Sequence, residues 1–268
     1  MNNFVESNQG PLISVLMTAY NRSNYIGAAI DSVLGSSYTN FELIIVDDCS
    51  QDNTVGIAQE YAISDSRVRV YINEKNLGDY PNRNKAASYA QGKYIKYLDS
   101  DDVMYSHCLQ VMVSAMEKFP EAGYGLSCRG DSNQPYPACV LPHDAYWEHF
   151  NGQNHFDRAP GSAIIKKSAF DKVGGFSGKR MIGDNELWLK IGRYFPLVKF
   201  PIDLYWARMH ASQESQSDYA KEYNRLRKMV FEEALADKDC PLSEKEKKTI
   251  LLKKRRESLK HKILKYLQ

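Results

Sequence analysis

The chain has 268 residues, 43% of them hydrophobic and 25% charged, an ordinary globular balance that excludes global disorder and allows one large domain or two small ones with a sizeable core. Its formal net charge of +2 is uneven, because residues 243–268 carry ten Lys or Arg against three Asp or Glu, a local +7 that leaves the rest at −5. An acidic body without a basic stripe excludes nucleic acid as the expected partner.

Residues 12–17, Leu-Ile-Ser-Val-Leu-Met, form an apolar run that reads as a buried strand ending at Thr18-Ala19-Tyr20-Asn21-Arg22. Ser23 or Asn24 is then the N-cap of a helix whose Tyr25, Ile26, Ala29, Ile30, Val33 and Leu34 recur at helical spacing and stop near Gly35. A second buried strand over residues 41–46 runs into Asp47-Asp48, and residues 50–54 supply turn and cap chemistry for a helix to about residue 63. Residues 67–72 alternate as a third strand, residues 73–78 form a loop, and a helix over about 80–90 presents Ala86, Ala87 and Ala90 on a small-residue face.

The next stretch, Gly92-Lys93-Tyr94-Ile95-Lys96-Tyr97-Leu98-Asp99-Ser100-Asp101-Asp102, is a strand that ends in three carboxylates within four residues. Such a cluster repels itself unless a cation sits among it, most simply a hard divalent metal that takes oxygen ligands. Read alone, it is more simply a loop of helix-capping acids. Strands alternating with helices indicate a parallel sheet with right-handed crossovers, and ligands of such sheets bind beyond the strands' carboxyl ends. Tyr20, Asp48 and the Asp99 to Asp102 cluster all fall there, and that convergence favours a site.

Further on, residues 107–119 read as a helix stopped by Pro120 and residues 123–128 as a strand. Residues 129–157 read as a long functional loop with one short helix near 144–150. Residues 162–166 form a strand, 168–173 a helix ended by Gly174-Gly175, 184–194 a helix with Leu187, Trp188 and Ile191 inward, 197–200 and 204–209 strands, and the remainder after about 217 is helical. No internal repeat or low-complexity linker is present.

Val15-Leu16-Met17-Thr18-Ala19-Tyr20-Asn21-Arg22, Ile44-Ile45-Val46-Asp47-Asp48-Cys49-Ser50, Asn76-Leu77-Gly78, Arg83-Asn84 and Leu98-Asp99-Ser100-Asp101-Asp102 stand in an order and spacing that resembles family 2 glycosyltransferases of the GT-A fold, over roughly residues 11–210. The resemblance implies an α/β fold with a mostly parallel central sheet flanked by helices. It implies a GT-A domain over 1–212, with a nucleotide-binding half at about 11–102 and an acceptor half at about 103–212, and a helical extension over 213–268. It further implies a metal-dependent hexosyl- or glycosyltransferase that inverts the anomeric carbon, with a UDP-sugar as donor, a saccharide or lipid-linked saccharide as acceptor and Mn²⁺ or Mg²⁺ as cofactor.

By the same resemblance Thr18 and Tyr20 hold the base, and Asp48 accepts a hydrogen bond from the uracil imide while Asp47 is a structural partner. Arg83 meets the nucleotide or its diphosphate, a guanidinium being matched to phosphate oxygens; otherwise it is a solvated helix residue. Asp101 binds the metal, Asp99 reaches the ribose or shares the metal, and Asp102 supports them as cap or from behind. Gly183-Asp184-Asn185-Glu186-Leu187-Trp188 resembles the family's Glu-Asp-x-x-Leu-Trp motif, with Gly183 in place of the commoner acid. Asp184 is then the base for the acceptor hydroxyl, kept ionised by the helix N-terminus, unless it is only the N-cap and Glu186 carries the chemistry. Ala207-Arg208-Met209-His210 resembles a segment that closes over the diphosphate through Arg208, with His210 as a further metal ligand or a structural imidazole. Pro160-Gly161-Ser162 resembles a turn bordering donor and acceptor. Trp147 and Trp188 are candidates for stacking on sugar faces, Trp188 more simply as core.

Five cysteines, odd in number and without Cys-x-x-Cys spacing, indicate free thiols in a reducing compartment. No apolar run reaches about 18 residues and the start of the chain lacks a signal-like pattern, so a cytoplasmic protein is expected. From Glu244 a helix would place Leu252, Leu259, Ile263 and Tyr266 on one side among seven Lys and Arg, a basic amphipathic tail suited to the inner face of the plasma membrane or to a protein partner. Two rivals remain. A sugar nucleotidyltransferase would need a Gly-rich phosphate loop after the first strand, which is missing. An inactive nucleotide-sugar-binding or scaffolding relative at the membrane is opposed by the intact acidic cluster and Asp184.

Overall fold

The computed structural model describes residues 10–128, 134–210 and 222–266, the last ten of these as backbone. In chain order β1 (Ile13–Ala19), α1 (Ile26–Leu34), β2 (Phe41–Asp47), α2 (Thr54–Ser64), β3 (Val68–Ile72), α3 (Asp79–Ser88) and β4 (Tyr94–Tyr97) alternate strand and helix. They are followed by β5 (Val103–Met104), α4 (Cys108–Glu117), β6 (Tyr124–Cys128), β7 (Ala138–Val140), α5 (Pro142–Glu148), β8 (Ala163–Lys166), α6 (Lys167–Lys172), α7 (Gly183–Gly192), β9 (Leu197–Pro201) and β10 (Tyr205–Trp206). Two helices, α8 (Tyr223–Ala236) and α9 (Glu244–Tyr266), close the chain.

Eight strands form one sheet in the order β3-β2-β1-β4-β8-β6-β9-β7. The four strands from β3 to β4 are parallel, as their short crossover helices require, and β6 and β9 are also parallel. Between them β8 runs antiparallel to both β4 and β6, and β7 is antiparallel to β9, so the sheet is mixed beyond β4. Apolar residues on both faces of β1 build two cores: Leu16 joins Ala86 and Ala87 of α3, while Val15 and Met17 join Ile26, Ala29 and Ile30 of α1. That two-sided burial is why β1 and β2 read as continuous apolar runs.

Several local expectations change. Neither Ser23 nor Asn24 caps α1, whose N-cap is Tyr25 without a side-chain hydrogen bond, and the Ser23 amide donates to Asp52 at 3.0 Å. The expected loop over 129–157 contains β7 and a helix that begins at Pro142; three residues are too few to show a period, and β7 owes its existence to pairing with β9. The strand expected over 204–209 shrinks to β10, which pairs with β5 in a small antiparallel ribbon beside the acidic cluster. Residues 129–133 and 211–221, including the expected boundary at 212 and the start of the helical remainder, lie outside the described residues. Core residues Val230, Phe231 and Leu235 of α8 and Ile250 of α9 belong to the same cluster as the sheet, so these helices pack on the body.

Candidate active site

The parallel strands deliver their carboxyl ends side by side. The Asp48 amide donates to Ala19 O at 2.8 Å and the Leu98 amide to Leu16 O at 3.0 Å, which brings Tyr20, Asp48 and Asp99 to one edge. Tyr20 is exposed at 45%, available to a planar ligand, and Thr18 is half-buried beside it. Asp47 accepts from the Ser50 amide at 2.8 Å and from its hydroxyl, a structural role as expected. Asp48 is buried and accepts from the Leu77 amide at 2.8 Å, the Gly78 amide at 2.9 Å and Asn73 Nδ2 at 2.7 Å. A carboxylate offers about four acceptor positions, and Asp48 uses three of them to anchor the Asn76-Leu77-Gly78 loop.

Beyond β4 the Asp102 amide bonds Asp99 O at 3.0 Å, a tight turn that gathers carboxylate oxygens of Asp99, Asp101 and Asp102 within 4.8 Å of one another. Burial first, then repulsion from Asp99 and Asp101, pushes the Asp102 carboxyl up to about 7, and its Oδ1 accepts from the Arg208 amide at 3.0 Å. Three converging hard oxygens under mutual repulsion fit a divalent cation. Asp101 Oδ2 meets Arg22 Nε and His210 Nε2, both at 3.0 Å, and the imidazole stacks on Tyr25. Arg208 donates through Nε to Asp101 O at 2.9 Å, and its guanidinium lies 4.8 Å from the Trp206 ring centre. Both members of the Arg208-to-His210 segment thus reach the acidic turn.

Arg83 is buried, which removes the reading as a solvated helix residue. It reaches Asp79 through Nε and Asp99 through Nη2, each at 2.7 Å, while its buried Nη1 has no hydrogen-bond partner among the described residues.

Asp184 is half-buried at the second position of α7, after the N-cap Ile182, so it is not itself the cap. Its Oδ1 accepts from the Asn185 amide at 2.7 Å, and its own amide donates to the Tyr80 phenolic oxygen at 3.3 Å. The helix N-terminus was expected to keep Asp184 ionised; instead burial dominates the opposing pull of the Asn185 amide and Arg83, and the carboxyl rises to about 7. Glu186 is tied to Lys179 and Ser177, away from that role. Trp188 is fully buried with Nε1 donating to Arg158 O at 2.7 Å, and Trp147 packs partly buried against the core; Trp188 is therefore a core residue.

Sequence reasoning assigned no role to Arg22, Tyr80, Lys96 or Trp206. Lys96 is wholly buried in β4 and donates to Tyr97 O and Gly161 O, which fastens the Pro160-Gly161-Ser162 turn behind the acidic turn. Trp206, 48% exposed, lines with Arg158, Ser127, Ser162, Asp203 and Tyr205 a cavity of about 480 Å³ next to the ribbon. Arg22 carried one available signal, a cation just past the carboxyl end of a strand.

The model of Glycosyl transferase family 2 matches residues 14–174, more than half of the chain, and the protein belongs to that family. It is 41% identical over 124 residues to the putative teichuronic acid biosynthesis glycosyltransferase TuaG of Bacillus subtilis, covering 45% of this chain and 49% of the relative. It is 42% identical over 107 residues to WfgD of Escherichia coli, named as a UDP-Glc:alpha-D-GlcNAc-diphosphoundecaprenol beta-1,3-glucosyltransferase, covering 40% and 42%. These matches span about half or less of the curated relatives' own length. The structure resembles S. aureus TarS 1–349 in complex with UDP-GlcNAc, with a TM-score of 0.70 and 19% identity over 89% of this chain and 70% of that one. It also resembles the mannosyltransferase PcManGT from Pyrobaculum calidifontis in complex with GDP-Man and Mn²⁺, with a TM-score of 0.63 and 18% identity over 85% and 65%. Identity this low speaks to the fold, which is the GT-A fold the motifs imply.

Proposed function

We propose that the protein is an inverting, metal-dependent glycosyltransferase that moves a sugar from a UDP-sugar to a saccharide or lipid-linked saccharide acceptor in surface polysaccharide synthesis. The observation that carries this reading is the link between the acidic turn and Asp184 through buried Arg83, which bonds Asp99 at 2.7 Å and acts electrostatically on the Asp184 carboxyl. Tyr20, Thr18 and Asp48 hold uracil; Arg83 and Arg208 face the diphosphate; Asp99 takes the ribose or shares the metal.

The carboxylates of Asp101 and Asp99, with the imidazole of His210, would hold Mn²⁺ or Mg²⁺, which when bound would supply charge neutralisation at the departing diphosphate. Asp184 removes the proton from the acceptor hydroxyl as that oxygen attacks the anomeric carbon on the face opposite the leaving group. A carboxyl near 7 suits a base working at neutral pH. The names of TuaG and WfgD support a cell-surface glycan acceptor. A GT-A domain over 1–212 with a helical extension over 213–268 whose basic tail rests on the inner membrane surface belongs to the same reading.

The test is transfer or hydrolysis across a panel of UDP-sugars with Mn²⁺ or Mg²⁺. Turnover abolished in Asp101→Ala and Asp184→Ala is expected; retained turnover in either removes the assigned role. Metal-dependent UDP binding by calorimetry without any turnover would make the chain a binding relative instead.

A further inference from the structure

We infer that Tyr80 is a positioning residue for Asp184, its ring packed over the Gly183 backbone and its phenolic oxygen meeting the Asp184 amide so that the first turn of α7 is held closed against α3. A Cβ built on Gly183 would lie 2.7, 2.8 and 2.9 Å from three ring carbons of Tyr80, so glycine is required here by the close approach of that ring. The phenolic oxygen lies 3.3 Å from the Asp184 amide nitrogen, which at the second position of a helix has no intrahelical partner. The ring is held in turn: it stacks on Phe176 at 4.9 Å between centroids, and the Phe176 backbone is clamped by Asn84, with N to Oδ1 at 3.0 Å and O to Nδ2 at 2.8 Å.

Tyr80 sits on α3 between Asp79 and Arg83, and Arg83 grips Asp99. One helix therefore meets the acidic turn through Arg83 and the first turn of α7 through Tyr80. The groups facing Asp184 are Tyr80, Asp79 and Arg83 from α3, Asn185 of its own helix and Tyr223 of α8. Burial is the largest cause of its raised pKa, and the Tyr80 ring packs against the Gly183 backbone of the same turn.

The functional consequence rests on the reading of Asp184 as the base, and the experiment separates the two. In full-length protein labelled with ¹³C at Asp carboxyls, the resonance lost in Asp184→Asn is followed through a pH titration. Wild type should titrate near 7. Tyr80→Phe keeps the ring and should leave the midpoint in place, whereas Tyr80→Leu admits water and should lower it by about one unit or more. Should Tyr80→Leu fail to fold, Gly183→Ala displaces the ring from the other side and is expected to move the midpoint the same way. A folded Tyr80→Leu or Gly183→Ala with an unmoved midpoint overturns the inference. Wild-type turnover in Asp184→Asn would instead remove the base reading and leave the Tyr80 contact standing.

Discussion

Asp101 Oδ2 accepts from Arg22 Nε and lies beside His210 Nε2, each at 3.0 Å. Removing its charge should leave both facing a poor partner and take the central ligand from the acidic turn. Asp101→Asn is expected to weaken Mn²⁺ binding by about 10–100-fold, read as free Mn²⁺ in electron paramagnetic resonance. Asp184 gives a pH prediction whose sign follows from its shift. Its folded pKa of about 7 lies above the usual 3.8, so the native state binds the extra proton between those values. The stabilisation is complete below the unfolded pKa and is lost as pH rises through about 4 to 7. Relative to Asp184→Asn, wild type should lose stability over that window in urea unfolding, and a wild type that gains stability relative to the variant as pH rises would contradict the assignment. Asp48 differs in kind, since its carboxylate closes a loop through three donors. Asp48→Asn turns an amide donor against these donors and should cost about 1–3 kcal/mol in the same measurement, whatever it does to nucleotide binding.

At the scale of elements, the entry to β4 sets where the acidic turn lands. Gly92 lies against β1 so closely that a Cβ would meet Ser14 N at 2.6 Å, Leu12 O at 2.7 Å and the Ile13 carbonyl carbon at 2.9 Å. Backbone atoms of a central strand cannot give way, and the Gly92 amide also donates to Ser14 Oγ at 2.9 Å. The same hydroxyl bonds Glu42 of β2, which pairs with Arg69 of β3, so one polar chain pins four strands in register. Gly92→Ala should cost about 1–3 kcal/mol, seen as a lowered urea midpoint with cooperativity kept, and should displace the turn enough to weaken metal binding as well.

At the scale of the whole molecule, the two helices after the sheet have two jobs. Ile250 is 1% exposed in the core, while Leu251 and Leu252 are exposed at 39% and 45% beside exposed Lys253, Arg255 and Arg256. The start of α9 therefore docks on the body and turns a basic, partly apolar side to solvent. Ile250→Ala should cost about 2–4 kcal/mol by opening a cavity. Replacing exposed Lys253, Arg255 and Arg256 together by Glu should leave stability nearly unchanged but reduce sedimentation with vesicles containing anionic lipid, a binding that falls as salt rises. Equal binding by that variant would dismiss this side of α9 as the membrane contact. Among the described residues no helix is long and apolar enough to cross a membrane.

The amino-acid sequence by itself determined the strand–helix alternation from β1 to β4, because each element there carries its own periodicity and the crossovers are short. It also determined that Tyr20, Asp48 and the Asp99 to Asp102 cluster meet, since parallel strands must end on one edge. Only the tertiary structure decided the rest. β7 and the β5–β10 ribbon exist through pairing partners distant in sequence, and no local pattern announces two- or three-residue strands. The protonation of Asp184 turned on burial beneath α3 and α8 rather than on its place in a helix, and the reason for Gly183 was the Tyr80 ring. A sequence shows which groups are present and their local geometry, whereas desolvation and close approach depend on what distant residues bring against them.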